Sequence, residues 1–362
     1  MQQAYIVYTF LLIFLLLSSC IYDKISSMNK NLLLFTSILI CSLVLGLRDN
    51  VGVDFSNYEH IFTYQYFDEV EGGYALINKI FYYLGFHSCS IFILVAFLQL
   101  FMFAKGVESL SSRYLPLAIF FYFTTLYLFL SLNVMRQTLT FSIFVYSIRF
   151  IVNKQFIRYV ITLLIASTIH KSALVLIPFY FLINNGWLLR HRIVQLAGYF
   201  TTFALAPYFS DYIWDHFETL AVLSGYEDYA DSITTISEIE WGNKDGAGVY
   251  LWMAIDLWVM IFFTKVRTES LTKYDKAFYN LYYMGLLLSN IVAGSYLDRA
   301  NLYFQNFRII VYAIFFYTIF KSKNHFVHKV IAVAVMAILI VFFYMGITNK
   351  ASQCAPFEFV YF

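Results

Sequence analysis

The sequence predicts an all-α, polytopic integral membrane helical bundle of about 12 spans. Three observations carry that prediction. Hydrophobic residues make up 61% of the 362 and charged residues 13%, against about 25% charged in an ordinary soluble domain. The apolar residues gather into runs of span length, and Lys and Arg gather into alternate loops between them. Aromatic residues reach 21%, enough for interfacial belts and for packing between helices. A soluble core could not hide so much apolar surface.

Residues 4–22 form the first expected span. They lack a basic leader and a small-x-small cleavage site, so the stretch reads as a retained helix and not a cleavable signal. Further spans are expected at 31–47, 88–104, 115–131, 137–152, 157–170, 172–185, 193–209, 249–265, 277–293, 302–320 and 327–346. The runs 157–170 and 172–185 are short for a hydrocarbon core of about 30 Å. They read as two tilted helices meeting at a tight turn, or as one broken span. Residues 74–86 carry Asn78 and Lys79 in an apolar run and read as an interfacial or re-entrant helix. No repeat or low-complexity tract is evident, and residues 1–362 read as a single membrane domain. Cys20, Cys41, Cys89 and Cys354 form no CxxC pair and read as buried thiols.

Charge orients the bundle. Loops 23–30, 105–114, 149–158, 186–192, 265–276 and 321–329 hold 16 of the 24 Lys and Arg residues, which places them in the cytoplasm. Segments 48–73, 132–136, 210–248 and 294–301 then lie outside with both termini. The two longest outer segments are acidic: 48–73 has six carboxylates and one Arg, and 210–248 has nine carboxylates and one Lys. Their Tyr and Trp residues argue for folded loops. Aromatic rings beside carboxylates suit carbohydrate, and a solvated charged loop is the plainer alternative.

Polar clusters fall on this same outer face. Arg48 leads into Asp54 and Tyr58; Arg136 and Gln137 open the span at 137–152; His170 and Lys171 sit at the turn between the two short spans; Arg299 leads to Tyr303. Three arginines at the outer ends of different helices suit a diphosphate, since guanidinium bonds phosphate in a planar fork and keeps its charge. An arginine at a span end also snorkels to headgroups. His170 offers a general base near neutral pH, or a helix-end imidazole bonded to backbone. Asp256 and Arg308 fall inside spans, where a charge is costly, and are expected to form a buried pair. No Asp-x-Asp, HExxH or phosphate-binding Gly-rich loop occurs, so no metal site is expected. A net charge of +2 gives no ground for a nucleic-acid partner.

These residues resemble a family. Gly46-x-Arg48, Val51-Gly52-x-Asp54 and Tyr58 are similar to the N-terminal signature of the EpsG family. Arg136-Gln137, His170-Lys171-Ser172-Ala173 and Arg299-x-x-x-Tyr303 follow in the family's order, over roughly residues 5–320. The resemblance implies a Wzy-type polymerase of the bacterial inner membrane with the fold of the lipid-dependent (GT-C-like) glycosyltransferases. Such an enzyme joins oligosaccharide repeat units carried on undecaprenyl diphosphate at the periplasmic face, making O-antigen, capsule or exopolysaccharide. It implies metal-independent chemistry, no cofactor, contact with membrane lipid, and a chain-length regulator as a candidate partner. In such a reaction Arg48, Arg136 and Arg299 would hold the diphosphate. His170, or else Asp54, would take the proton of the attacking hydroxyl, with Tyr58, Gln137, Lys171 and Tyr303 around the substrate. Two other readings stand beside it: an O-antigen ligase using the same carrier, and a lipid-linked oligosaccharide flippase. A flippase should show inverted-repeat symmetry, which the sequence lacks.

Overall fold

Long apolar runs become long helices here, and the run at 115–133 is broken at Leu126, whose backbone is left-handed. The computed structural model describes residues 1–22, 24–183, 191–216, 247–263, 272–292, 298–323 and 325–360, and at 27, 28, 210, 211, 213–215, 247 and 298–300 the backbone alone. The elements run α1 (Gln2–Tyr22), α2 (Ser27–Gly46), β1 (Arg48–Asp49), α3 (Phe55–Thr63), α4 (Gly72–Tyr83), α5 (Cys89–Leu110), α6 (Leu115–Thr124), α7 (Tyr127–Asn133), α8 (Met135–Val152) and α9 (Phe156–Ser167). A 3-10 turn (Lys171–Leu176) and α10 (Phe179–Leu182) follow. Then come α11 (Arg192–Asp215), α12 (Ala247–Phe263), α13 (Lys273–Ile291), α14 (Asp298–Gln305), α15 (Phe307–Lys321), α16 (Phe326–Thr348) and β2 (Glu358–Phe359).

The protein is a multi-pass, helical membrane protein. Among the described residues five helical stretches are long and apolar enough to cross a bilayer: Gln2–Tyr22, Asn29–Gly46, Cys89–Leu110, Asn301–Lys321 and Phe326–Thr348. A sixth is counted if α6 and α7, bent by 66°, are one span. The bend falls at Leu126, whose φ of 63° is left-handed. Helix α8 carries Arg136, Arg149 and several hydroxyl residues, which lower its hydropathy. Helix α9 has 12 residues, or about 18 Å, too short for a core of about 30 Å.

The helices pack as two compact units. One comprises Met1–Asn184, Lys273–Asp275 and Ile309–Phe362; the other comprises Asn185–Thr272 and Lys276–Arg308. In the first, segment 48–73 is folded, not a bare loop. Phe55, Tyr58 and Phe62 of α3 and Phe67 pack with Tyr74, Phe92, Met135, Ala166 and Ile169 in one apolar cluster. Residues 74–86, expected as a short helix, form most of α4. Its N-terminus meets the C-terminus of α9: the amides of Gly73 and Tyr74 donate to Thr168 O at 2.8 and 3.2 Å. A side chain at Gly73 would strike Thr168 Oγ1 at 2.2 Å, so only glycine permits this end-on approach. Three of the cysteines are buried as expected, whereas Cys20 is exposed.

The C-terminal segment closes onto the Arg48 region from more than 300 residues away. β2 pairs antiparallel with β1, Arg48 opposite Phe359. Gly52 N donates to Gln353 O at 3.0 Å, and Val360 N to Leu47 O at 2.9 Å. Tyr8 Oη donates to Cys354 O at 2.8 Å.

Candidate functional site

Three helix ends in the first unit bring charge together. Glu71 is the N-cap of α4, Arg136 is the second residue of α8, and His170 caps the 3-10 turn after α9. The Glu71 carboxylate joins them. Arg136 Nη1 donates to Glu71 Oε2. His170 Nδ1 lies 3.0 Å from Glu71 Oε1, and the Lys171 amide donates to the same oxygen at 3.1 Å. The placement has a local cause. Helix N-termini leave backbone amides unpaired and favour negative charge, and the join between α9 and α4 seats Glu71 beside the turn that carries His170.

Burial raises the Glu71 pKa. The His170 hydrogen bond, the Arg136 charge and the amide hydrogen bonds outweigh it and bring the carboxyl down to about 2. Glu71 is therefore ionised at any physiological pH. The rings of Tyr58 and Tyr74 flank the Arg136 guanidinium, with centroids at 5.9 and 5.7 Å. Two buried polar atoms here, Arg136 Nε and Tyr74 Oη, have no hydrogen-bond partner. Such orphans cost roughly 1–3 kcal/mol each.

Arg48 stands differently from its expected place at an outer surface. It is 1% exposed. Its Nε donates to Val51 O at 3.1 Å, Nη1 to Leu45 O at 2.8 Å and Nη2 to Leu132 O at 3.1 Å. The guanidinium lies over the Phe92 ring at 4.7 Å. Nη2 also donates to Met135 Sδ at 3.3 Å, and together these bonds turn the chain after α2 and tie it to the end of α7. Asn133 reinforces the same corner: its Oδ1 accepts from Val53 N, and its Nδ2 donates to Ser352 O at 3.1 Å. Gly52, with φ of +108°, sits where a side chain would meet Asn133 Oδ1 at 3.0 Å.

The second unit contains a separate ion pair. Arg308 Nη2 donates to Asp256 Oδ2 at 2.6 Å and Nε to Oδ1 at 3.2 Å. Tyr282 Oη donates to Oδ1 at 2.7 Å, and the guanidinium lies 5.2 Å from the Trp252 ring centroid.

The EpsG family profile matches residues 31–359, nearly the whole chain. The chain belongs to the EpsG family. Comparison with curated proteins and with solved structures returned no match. Membership supports, in general terms, a polysaccharide polymerase-like role.

Within this EpsG-family protein the sequence motifs resolve into distinct places. Arg136 and His170 converge on one carboxylate, with Tyr58 against the guanidinium. Gln137 is buried beside them in α8 and Lys171 is exposed, contributing its amide. Asp54 is the half-buried N-cap residue of α3. Tyr303 is buried in the second unit. The Arg299 side chain and most of segment 210–248, with Glu238 and Glu240, lie outside the described residues. The residue that sequence reasoning missed is Glu71. Its signal was present: a carboxylate followed by Gly72-Gly73 and an apolar run is an acidic helix start.

Proposed function

We propose that this protein is a polymerase that joins undecaprenyl-diphosphate-linked oligosaccharide repeat units at the periplasmic face of the bacterial inner membrane. One observation carries the reading: a cation able to grip diphosphate and an imidazole able to take a proton are held by a single carboxylate at three helix ends. A hydroxyl of the acceptor unit attacks the anomeric carbon of the donor. The new glycosidic bond forms as the anomeric carbon–oxygen bond to diphosphate breaks, and the lipid diphosphate leaves as an anion. Arg136 stabilises that anion, which needs a cation more than an acid. With Nδ1–H donated to Glu71, the His170 imidazole presents Nε2 as the proton acceptor. Arg48, bonded to carbonyls, positions the 48–54 turn in this scheme and does not hold phosphate; Arg299 remains a diphosphate candidate from its sequence motif alone. Asp54 is the second candidate for the base. Gln137 and Lys171 remain proposed substrate contacts, and Tyr303 remains one from its sequence motif alone.

No metal ion takes part in this scheme, and polymerisation in isolated membranes is expected to survive EDTA. Chain-length analysis of surface polysaccharide in a deletion strain tests the function itself. A single repeat unit on the acceptor supports polymerisation. Polymer retained on the carrier would indicate a ligase, and loss of outer exposure of the unit a flippase.

A further inference from the structure

At the end of α4 remote from Glu71, the surface opens into a groove of about 560 Å³. It lies between the C-terminal half of α3, the last turn of α4 and residues 86–88, which lead into α5. Ring faces and polar groups alternate on its walls: Tyr64, Tyr82 and Phe86 with Glu59, His60 and His87. Tyr64 is 60% exposed and Phe86 53%, yet the rings are braced. Tyr64 stacks with Tyr66 at 5.9 Å and meets His60 edge-on at 5.4 Å. Gln65 Nε2 donates to Tyr82 Oη at 3.0 Å, and Phe62 packs on Tyr82 at 5.7 Å. The Cys89 amide donates to His87 Nδ1 at 3.3 Å, so a neutral His87 carries its proton on Nε2.

The lining selects among ligand classes. Among the described residues no Lys or Arg lines the groove, which disfavours phosphate and lipid headgroups. Two imidazoles and a carboxylate among the rings disfavour acyl chains. Flat rings beside acceptors and donors fit an uncharged polyol, whose C–H faces stack on aromatic surface while its hydroxyls bond the polar groups. Helix α4, with 12 residues, sets the groove about 18 Å from Glu71. We propose that this groove is a glycan-binding subsite that holds sugars of the growing chain several residues away from the reacting end. Its biological purpose rests on the polymerase reading above; its binding chemistry does not.

The test uses the full-length protein in nanodiscs and a delipidated oligosaccharide of several repeats, released from the host's own polysaccharide by mild acid. Calorimetric titration should show saturable binding to wild type. Tyr64→Ala should weaken it roughly tenfold, the loss of one stacking face with its buried area, and Glu59→Gln should weaken it less. In cells Tyr64→Ala should still join two repeats but give shorter ladders at unchanged abundance, since the ring is exposed. His170→Ala should bind the oligosaccharide normally while joining nothing. Equal affinities for wild type and Tyr64→Ala, or no saturation of wild type by the oligosaccharide, would overturn the subsite. A deletion strain with normal ladders would instead defeat the polymerase reading while leaving the titration result standing.

Discussion

The Asp256–Arg308 pair and the Glu71 cluster are built from the same chemical groups and do different work. Exposure barely separates them: the arginines are 17% and 22% exposed at the side chain, the carboxylates 2% and 11%. The position of the carboxylate and the use of the arginine's Nε separate them. Asp256 lies mid-helix in α12 and meets Arg308, the second residue of α15, in a two-point fork that spends Arg308 Nε on the carboxylate, with Tyr282 donating to the same oxygen. Glu71, Arg136 and His170 lie at helix ends, one carboxylate serves two side chains and an amide, and Arg136 Nε is left without a partner. A closed pair stabilises; a cluster with a spare donor and a basic imidazole can also react.

Substitutions sharpen that contrast, the largest effect coming from the closed pair. Asp256→Ala would strand a half-buried guanidinium, at a cost of up to about 3 kcal/mol, the lower end of the range for breaking a buried pair. Its mark should be low protein abundance in membranes, with the double substitution Asp256→Leu, Arg308→Met recovering much of it. Full abundance with lost activity would move the pair into the reaction. Arg136→Lys keeps the charge but loses the planar fork. It should cost roughly 1.5–3 kcal/mol of substrate or transition-state binding, read as a steeper requirement for carrier-linked substrate at normal abundance. A snorkelling arginine would accept lysine without change.

The smallest effect is a pH dependence that should be missing. The Glu71 pKa is depressed in the folded protein, from 4.5 to about 2. Its stabilising contribution is therefore complete above about pH 4.5 and fades only as pH falls toward 2. In a His170→Ala background, which removes the imidazole that would itself titrate, the melting-temperature difference between Glu71 and Glu71→Gln should stay flat from pH 5 to 8. A difference that changes across that range would mean Glu71 titrates there and is not held ionised by its partners.

Much of the fold was readable in composition, because apolar runs have few other uses. The ends of the short helices were not. Hydropathy sees a run at 157–170 but not that α9 ends at Ser167 and hands its last carbonyl to the first amides of α4. Arg136 and His170 could be singled out as polar residues at the edges of apolar runs. Glu71 sat among six carboxylates in 48–73, and its helix-start signal could not reveal the contact between Thr168 and Gly73 that seats it beside His170. Arg48 looked like an interfacial cation because nothing local reveals that carbonyls at Leu45, Val51 and Leu132 would enclose it. The C-terminal strap was unreadable for the same reason: Gln353 answers Gly52 across the whole chain.

The most direct test of the central claim compares product ladders and protein levels in cells carrying His170→Ala and Glu71→Gln. Loss of a general base, or of the group that orients it, typically costs about 10²–10⁴-fold in rate. Both variants should therefore accumulate to wild-type levels in the membrane and leave only single-repeat product. Normal ladders from both at wild-type abundance would contradict the account and remove the Glu71 cluster from the reaction.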